Sequence, residues 1–216
     1  MNIPVALFFE FLCAFSATRF LYSKQNGWWR HFIWFLTIVF IIDTTGYLFY
    51  LSRINNHWLY NIANFIFASF YTWVLYKINS TNKLMKRLLT GCQIIFSITY
   101  LFESIQSHFL EASRFSFIFN TIYIIIACCL YFYFLLKNDE YINLVKDASF
   151  WIISGLFFFE LGSISLIIFS SYLVEINLKE NINVSFAILN VVNFIFYGCW
   201  TYAFICKYRQ TISSPS

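Results

Sequence analysis

The sequence predicts an all-α, seven-transmembrane-helix bundle, and three observations carry that expectation. The chain has 216 residues, 60% of them hydrophobic and 11% charged, where soluble domains carry roughly 25% charged residues. Phe, Tyr and Trp number 29, 15 and 7, more apolar surface than a soluble core of this size can hide. The hydrophobic runs are about 20 residues long, the length a spanning helix needs, and short polar joints separate them. Transmembrane β-strands would instead show stretches of about 10 residues alternating in polarity. Seven spans leave too few residues for any soluble domain, so the whole chain reads as a single membrane domain with the lipid bilayer as its first partner.

The runs lie at 4–22, 32–51, 58–77, 88–107, 114–136, 148–173 and 184–206. The first carries Glu10 in its middle and its positive charge, Arg19, at the far end. A secretory signal has the opposite layout, so this is a retained span. The second places Asp43 after Ile41 and Ile42, with Gly46 following, and the third reads Asn61-Ile-Ala-Asn64-Phe-Ile-Phe67. The fourth follows a basic joint, Lys83, Lys86 and Arg87, and contains Gln93 and Glu103. The fifth carries Asn120 near its outer end. The sixth has Glu160 after Phe158 and Phe159, with Gly162 following, and the seventh reads Asn190-Val-Val-Asn193-Phe-Ile-Phe196.

Orientation follows from the distribution of Lys and Arg, which accumulate on the cytoplasmic side. Eleven lie on one side (Arg19, Lys24, Arg30, Lys77, Lys83, Lys86, Arg87, Lys137, Lys146, Lys207 and Arg209) and three on the other (Arg53, Arg114 and Lys179). The N-terminus is therefore expected outside and the C-terminus in the cytoplasm. The net charge of +4 is a topology signal and gives no ground for nucleic-acid binding. The six cysteines fall inside the runs, where they read as buried thiols and not as a disulfide framework.

The third and seventh runs share the pattern N-x-x-N-F-I-F, and the second and sixth share an acid followed by glycine. Spans one to three and five to seven thus read as parallel copies joined by the fourth, a 3+1+3 repeat. Convergence in a chain this rich in Phe, Ile and Asn is the competing explanation. The arrangement resembles the SWEET and PQ-loop carriers, which have an Asn in the third and seventh helices, here matched by Asn61 or Asn64 and Asn190 or Asn193. It departs from them in its prolines, which are only Pro4 and Pro215. A retinal protein is excluded because the seventh run has no lysine before Lys207. Histidine-zinc hydrolases are excluded because His31, His57 and His108 lie at or beyond run ends. In length, aromatic content, the acid of span two and the Asn-rich seventh span, the chain also resembles small seven-helix proteins of Bacteroidota that accompany sensor-kinase systems. That resemblance implies a bacterial inner membrane and a signalling-protein partner at the cytoplasmic face.

Four acids lie inside the runs without a Lys or Arg at comparable depth: Glu10, Asp43, Glu103 and Glu160. At 1.5 Å per residue they sit about 9, 12, 6 and 18 Å below the outer ends of their runs. The carboxamides Asn61, Asn64, Asn120, Asn190 and Asn193 also lie in outer halves, and Gln93 is the exception. A charge at mid-bilayer costs roughly 2.5–3.5 kcal/mol, so these acids call for water, a proton or a bound cation. Glu10, Asp43, Asn61, Asn64, Glu103, Asn120, Glu160, Asn190 and Asn193 are accordingly the candidate ligand-binding residues. Helix-to-helix polar contacts are the competing reading for the asparagines, and an interfacial, solvated carboxylate is the competing reading for Glu103.

Three functions compete. A sensor would bind a small polar solute, cationic or neutral, from outside and signal through a partner. A carrier would need polarity toward both faces in turn and helices that break, whereas the inner halves here are apolar. An intramembrane enzyme acting on lipid would need a nucleophile–base pair, and no such pair is legible. No spacing calls for a metal or a cofactor, and no residue reads as catalytic. Outer-only polarity favours the sensor.

Overall fold

A computed structural model of the protein describes residues 5–80, 82–107, 113–137, 143–180 and 183–213, with the side chains of 24–26, 178, 180 and 213 excepted. Pro4, Pro215, His108 and the joint acids Asp139 and Glu140 lie outside these residues. Every regular element among them is helical: α1 (Val5–Leu21), α2 (His31–Leu51), α3 (His57–Ile78), α4 (Lys83–Gln106), α5 (Arg114–Lys137), α6 (Ala148–Ile168), α7 (Ser170–Glu180) and α8 (Val184–Ser213). Short 3-10 segments at Lys24–Arg30 and Leu144–Lys146 join them. The first of these turns on Gly27, whose φ of 52° is open to glycine at no steric cost.

Five stretches are long and apolar enough to cross a membrane: Gly27–Leu51, Lys83–Gln106, Arg114–Lys137, Ala148–Ile168 and Val184–Ile212. Of the other expected spans, α1 has 17 residues, and α3 carries His57, Asn61, Asn64 and Lys77 along its length. Large apolar side chains point outward throughout, Phe15, Phe102, Ile105 and Leu136 among them, with Trp34 71% exposed. Helices that are apolar all round belong in lipid.

Three helix boundaries differ from the sequence expectation. The sixth run is two helices. α6 ends at Ile168, Phe169 leaves helical geometry (φ −92°, ψ 9°) while its N–H still reaches Ser165 O, and α7 begins at Ser170. α4 starts at Lys83, five residues early, because the Asn82 side chain caps it by accepting from Met85 N at 3.1 Å. An Asn at that position satisfies one of the four unpaired N–H groups of a first turn. α8 runs on to Ser213, seven residues past the expected end at 206.

The chain forms two compact units, Met1–Thr37 with Glu140–Ser216, and Ile38–Asp139. In the first, α8 packs on both α1 and α6. The contacts Phe9–Phe194 (4.9 Å between ring centroids), Ser16–Thr201 (3.5 Å) and Phe20–Tyr208 (5.4 Å) advance together, so α1 and α8 run parallel. Phe159–Phe196 (4.7 Å) and the bond from Trp200 Nε1 to Ile152 O (3.1 Å) advance oppositely, so α6 and α8 are antiparallel. Close approach of these two helices depends on glycine: a Cβ on Gly155 would meet Cys199 Cβ at 2.9 Å, and one on Gly162 would meet Val192 Cγ2 at 2.5 Å. The unit's core is aromatic, with Trp200 enclosed by Phe32 edge-on at 5.1 Å and by Phe196 at 4.4 Å.

In the second unit, α4 packs on α3 and α5, and α3 also touches α5. Phe65 stacks between Phe96 and Tyr100 at 6.0 and 5.0 Å. Gly46 of α2 lies against Tyr60 of α3, where a Cβ would meet the ring carbon Cζ at 2.7 Å. Gly46–Tyr60 joins the second and third spans as Gly162–Val192 joins the sixth and seventh, but out of register, since matching Asn61 to Asn190 pairs Tyr60 with Leu189 and not with Val192. The division into units, however, cuts across spans one to three and does not follow the repeat.

Candidate functional site

In the first unit the register of the helices sets the site. Phe9 against Phe194 brings Glu10 level with the stretch of α8 just after Asn193. Phe159 against Phe196 and Gly162 against Val192 bracket Glu160 opposite residues 194–195. Glu10, Glu160 and Asn193 therefore share one level, within about one 5.4 Å turn of each other. All three are buried, at 4%, 2% and 8% exposure. With α6 ending at Ile168, Glu160 lies about 12 Å from its helix end rather than the deeper position the unbroken run implied. Asn190 is half-buried, one turn nearer the start of α8.

Each of these side chains tops a buried stripe at helical spacing. On α1 it is Glu10, Cys13, Ala17 and Leu21, on α6 Glu160, Leu156 and Ile153, and on α8 Asn193, Trp200 and Phe204. Below the polar level the interior is thus aliphatic, thiol and aromatic. The nearest basic residue on α1 is Arg19, nine residues or about 13 Å further along, and α8 has none before Lys207. Two buried carboxyls and a carboxamide above an apolar floor can accept hydrogen bonds or a cation. Among the described residues no group of three His, Cys, Asp or Glu side chains could hold a metal ion.

In the second unit the expected site residues are engaged differently. Glu103, at the end of α4, accepts from Phe115 N (3.0 Å), Ser116 N (2.8 Å) and the Ser116 hydroxyl. It caps the first turn of α5 from another helix, and its charge complements the positive end of the helix dipole. Asn61 is buried and accepts from Ser113 N at 3.3 Å, while its backbone carbonyl accepts from Tyr100 OH at 3.1 Å. Asn61 and Glu103 thus fix the start of α5. Asn120 is 6% exposed, and its Oδ1 has no hydrogen-bond partner, as also holds for the hydroxyls of Ser104, Ser113 and Thr121. Asp43 and Asn64 are half-buried on α2 and α3.

Gln93, the carboxamide out of place in the sequence pattern, is the centre of a clamp across three helices. Its Nε2 donates to Ser69 Oγ (3.1 Å), its Oε1 accepts from Tyr123 OH (2.9 Å), and Tyr123 OH lies 2.6 Å from Thr72 Oγ1. Its exceptional position was the available signal. Nothing in the sequence pointed to Ser69, Thr72 or Tyr123 as its partners, or to Trp200 as the seal beneath the acids.

Fold and polar layer together define an all-helical integral membrane protein with carboxyl groups in its interior. The chain matches no protein-family model, no curated protein and no solved structure.

Proposed function

We propose that the chain is a seven-span membrane sensor, N-terminus outside and C-terminus cytoplasmic, that binds a small cationic solute at the level of Glu10, Glu160 and Asn193. Helix shifts on binding pass to a signalling protein at the cytoplasmic face. The observation that carries this reading is the burial of two carboxyl groups at one level above an aliphatic and aromatic floor. A cation offsets the cost of holding such charges in a low-dielectric interior. The parallel course of α1 and α8, with α6 antiparallel, supports an odd number of crossings from α1 to α8. At 17 residues α1 is about 26 Å long, near the lower limit for a span. The Trp200, Phe32 and Phe204 floor favours binding over passage, because alternating access needs a polar path toward both faces.

The test is thermal stabilisation of the purified protein by a panel of organic amines, metal cations and sugars, repeated on Glu160→Gln and Glu10→Gln. A cationic hit should stabilise the wild type and bind each variant at least about tenfold more weakly, a loss of about 1.4 kcal/mol. Its affinity should fall as pH falls, because protonation removes the charge that attracts it. A panel with no cationic hit, or a hit indifferent to both substitutions, would overturn the assignment.

A further inference from the structure

Between them, α1 and α8 leave a groove of about 320 Å³. Phe9 and Leu12 form one wall, and Phe194, Gly198, Thr201 and Ile205 the other. Gly198 is exposed, and a Cβ there would find no atom within 4 Å, so its lack of a side chain keeps the groove open. From Phe194 to Ile205 the groove extends about 16 Å along α8. One leaflet of a bilayer has a hydrocarbon depth of about 15 Å, half of roughly 30 Å.

At one end the same helix faces become cationic. Arg19 lies two turns beyond Leu12 on α1, and Arg209 one turn beyond Ile205 on α8, spacings that keep each on the groove face. Both are exposed, and the ion pair found among the described residues, Lys179 with Glu175, involves neither. An apolar slot one leaflet deep that opens between two arginines has the outline of a phospholipid. A partner helix would need a groove of full bilayer depth and acids at the arginine level. A second copy of this chain offers few such acids: the joints on that side carry eleven Lys and Arg against Asp139, Glu140 and Asp147.

We propose that the α1/α8 groove binds one anionic phospholipid, with an acyl chain along Gly198 and its phosphate between Arg19 and Arg209. This rests on α1 and α8 lying in the bilayer and is independent of the sensor reading. Arginine is suited to the role because its planar fork binds phosphate oxygens in pairs.

Native mass spectrometry of the protein in mild detergent, with phosphatidylglycerol, phosphatidylcholine of the same chains or inorganic phosphate added, tests the proposal. The wild type should retain one phosphatidylglycerol in preference to phosphatidylcholine, and phosphate alone should neither bind nor stabilise. Gly198→Leu projects a side chain into the slot from a Cβ position with open space around it and should lose the lipid while keeping its helical circular dichroism. Arg19→Gln with Arg209→Gln should still take up lipid, with its preference for the anionic headgroup reduced about fivefold per arginine. Equal retention of both lipids by the wild type, or phosphatidylglycerol retention unchanged in both variants, would refute the proposal. So would stabilisation by phosphate alone, which marks a free-anion site, or a dimer that Gly198→Leu dissociates, which marks a protein interface.

Discussion

Replacing Glu103 with alanine separates a structural carboxylate from a ligand-binding one. In the structure Glu103 takes the place of an N-cap for α5, accepting from the N–H groups of Phe115 and Ser116 and from the Ser116 hydroxyl. Loss of an N-cap acceptor costs about 0.5–2 kcal/mol, and bonds to a charged acceptor run about 1.5–3 kcal/mol. The Phe115 bond is exposed and the Ser116 pair only part-buried, so a total of about 2 kcal/mol is expected. For a chain of this size that lowers the melting temperature by about 4–8 °C. Glu103→Gln keeps one carbonyl acceptor and should lose roughly half as much. A thiol-reactive dye in a heated detergent solution, used in a background with the exposed Cys129 and half-buried Cys92 and Cys199 changed to serine, reads the transition through Cys128 of α5, which is buried until the helices part. An unchanged melting temperature in Glu103→Ala, together with weaker solute binding, would show that this carboxylate serves a ligand and that the capping account is wrong.

Other substitutions test the packing and the topology. Tyr123→Phe and Gln93→Leu should each destabilise, and combining them should cost less than the sum by about 0.6–1.7 kcal/mol, the range for interhelical bonds in membranes; strict additivity would mean that the clamp is not one unit. Gly162→Ala drives a Cβ into the stiff, β-branched Val192 and should cost about 1–3 kcal/mol, whereas Gly91→Ala, with open space around it, should gain about 1 kcal/mol from helix propensity. Equal melting temperatures for the two variants would contradict the close approach of α6 and α8. Reporter fusions at Asn82 and after Ser213 should read cytoplasmic and one at Asn55 external, and an external signal at Asn82 would reverse the proposed orientation.

The helices were legible wherever apolar length alone decides them. α2, α3 and α5 begin and end within one residue of the hydrophobic runs that predicted them. The first turn of α4 was not, because Lys83, Lys86 and Arg87 make it polar, although Asn82 ahead of it was a readable cap. The break at Phe169 has no proline or glycine to announce it. At the site, Glu10, Glu160 and Asn193 are buried, and their shared level emerges only from helix register, which a linear pattern does not contain. Glu103 and Asn61 were selected by the same rule of unpartnered polarity. Their partners are backbone N–H groups at the start of α5, and every residue has such a group except proline, so no sequence pattern distinguishes the ones that need an outside acceptor.

The central claim is that a cation binds above the aromatic floor without crossing it. Purified protein in sealed liposomes, given a stabilising cation in radiolabelled form, measures both halves at once. Saturable, Glu160-dependent binding at the accessible face with no accumulation inside the vesicles is the predicted result. Saturable uptake into the vesicles, abolished by Glu160→Gln, would contradict it and make the protein a carrier.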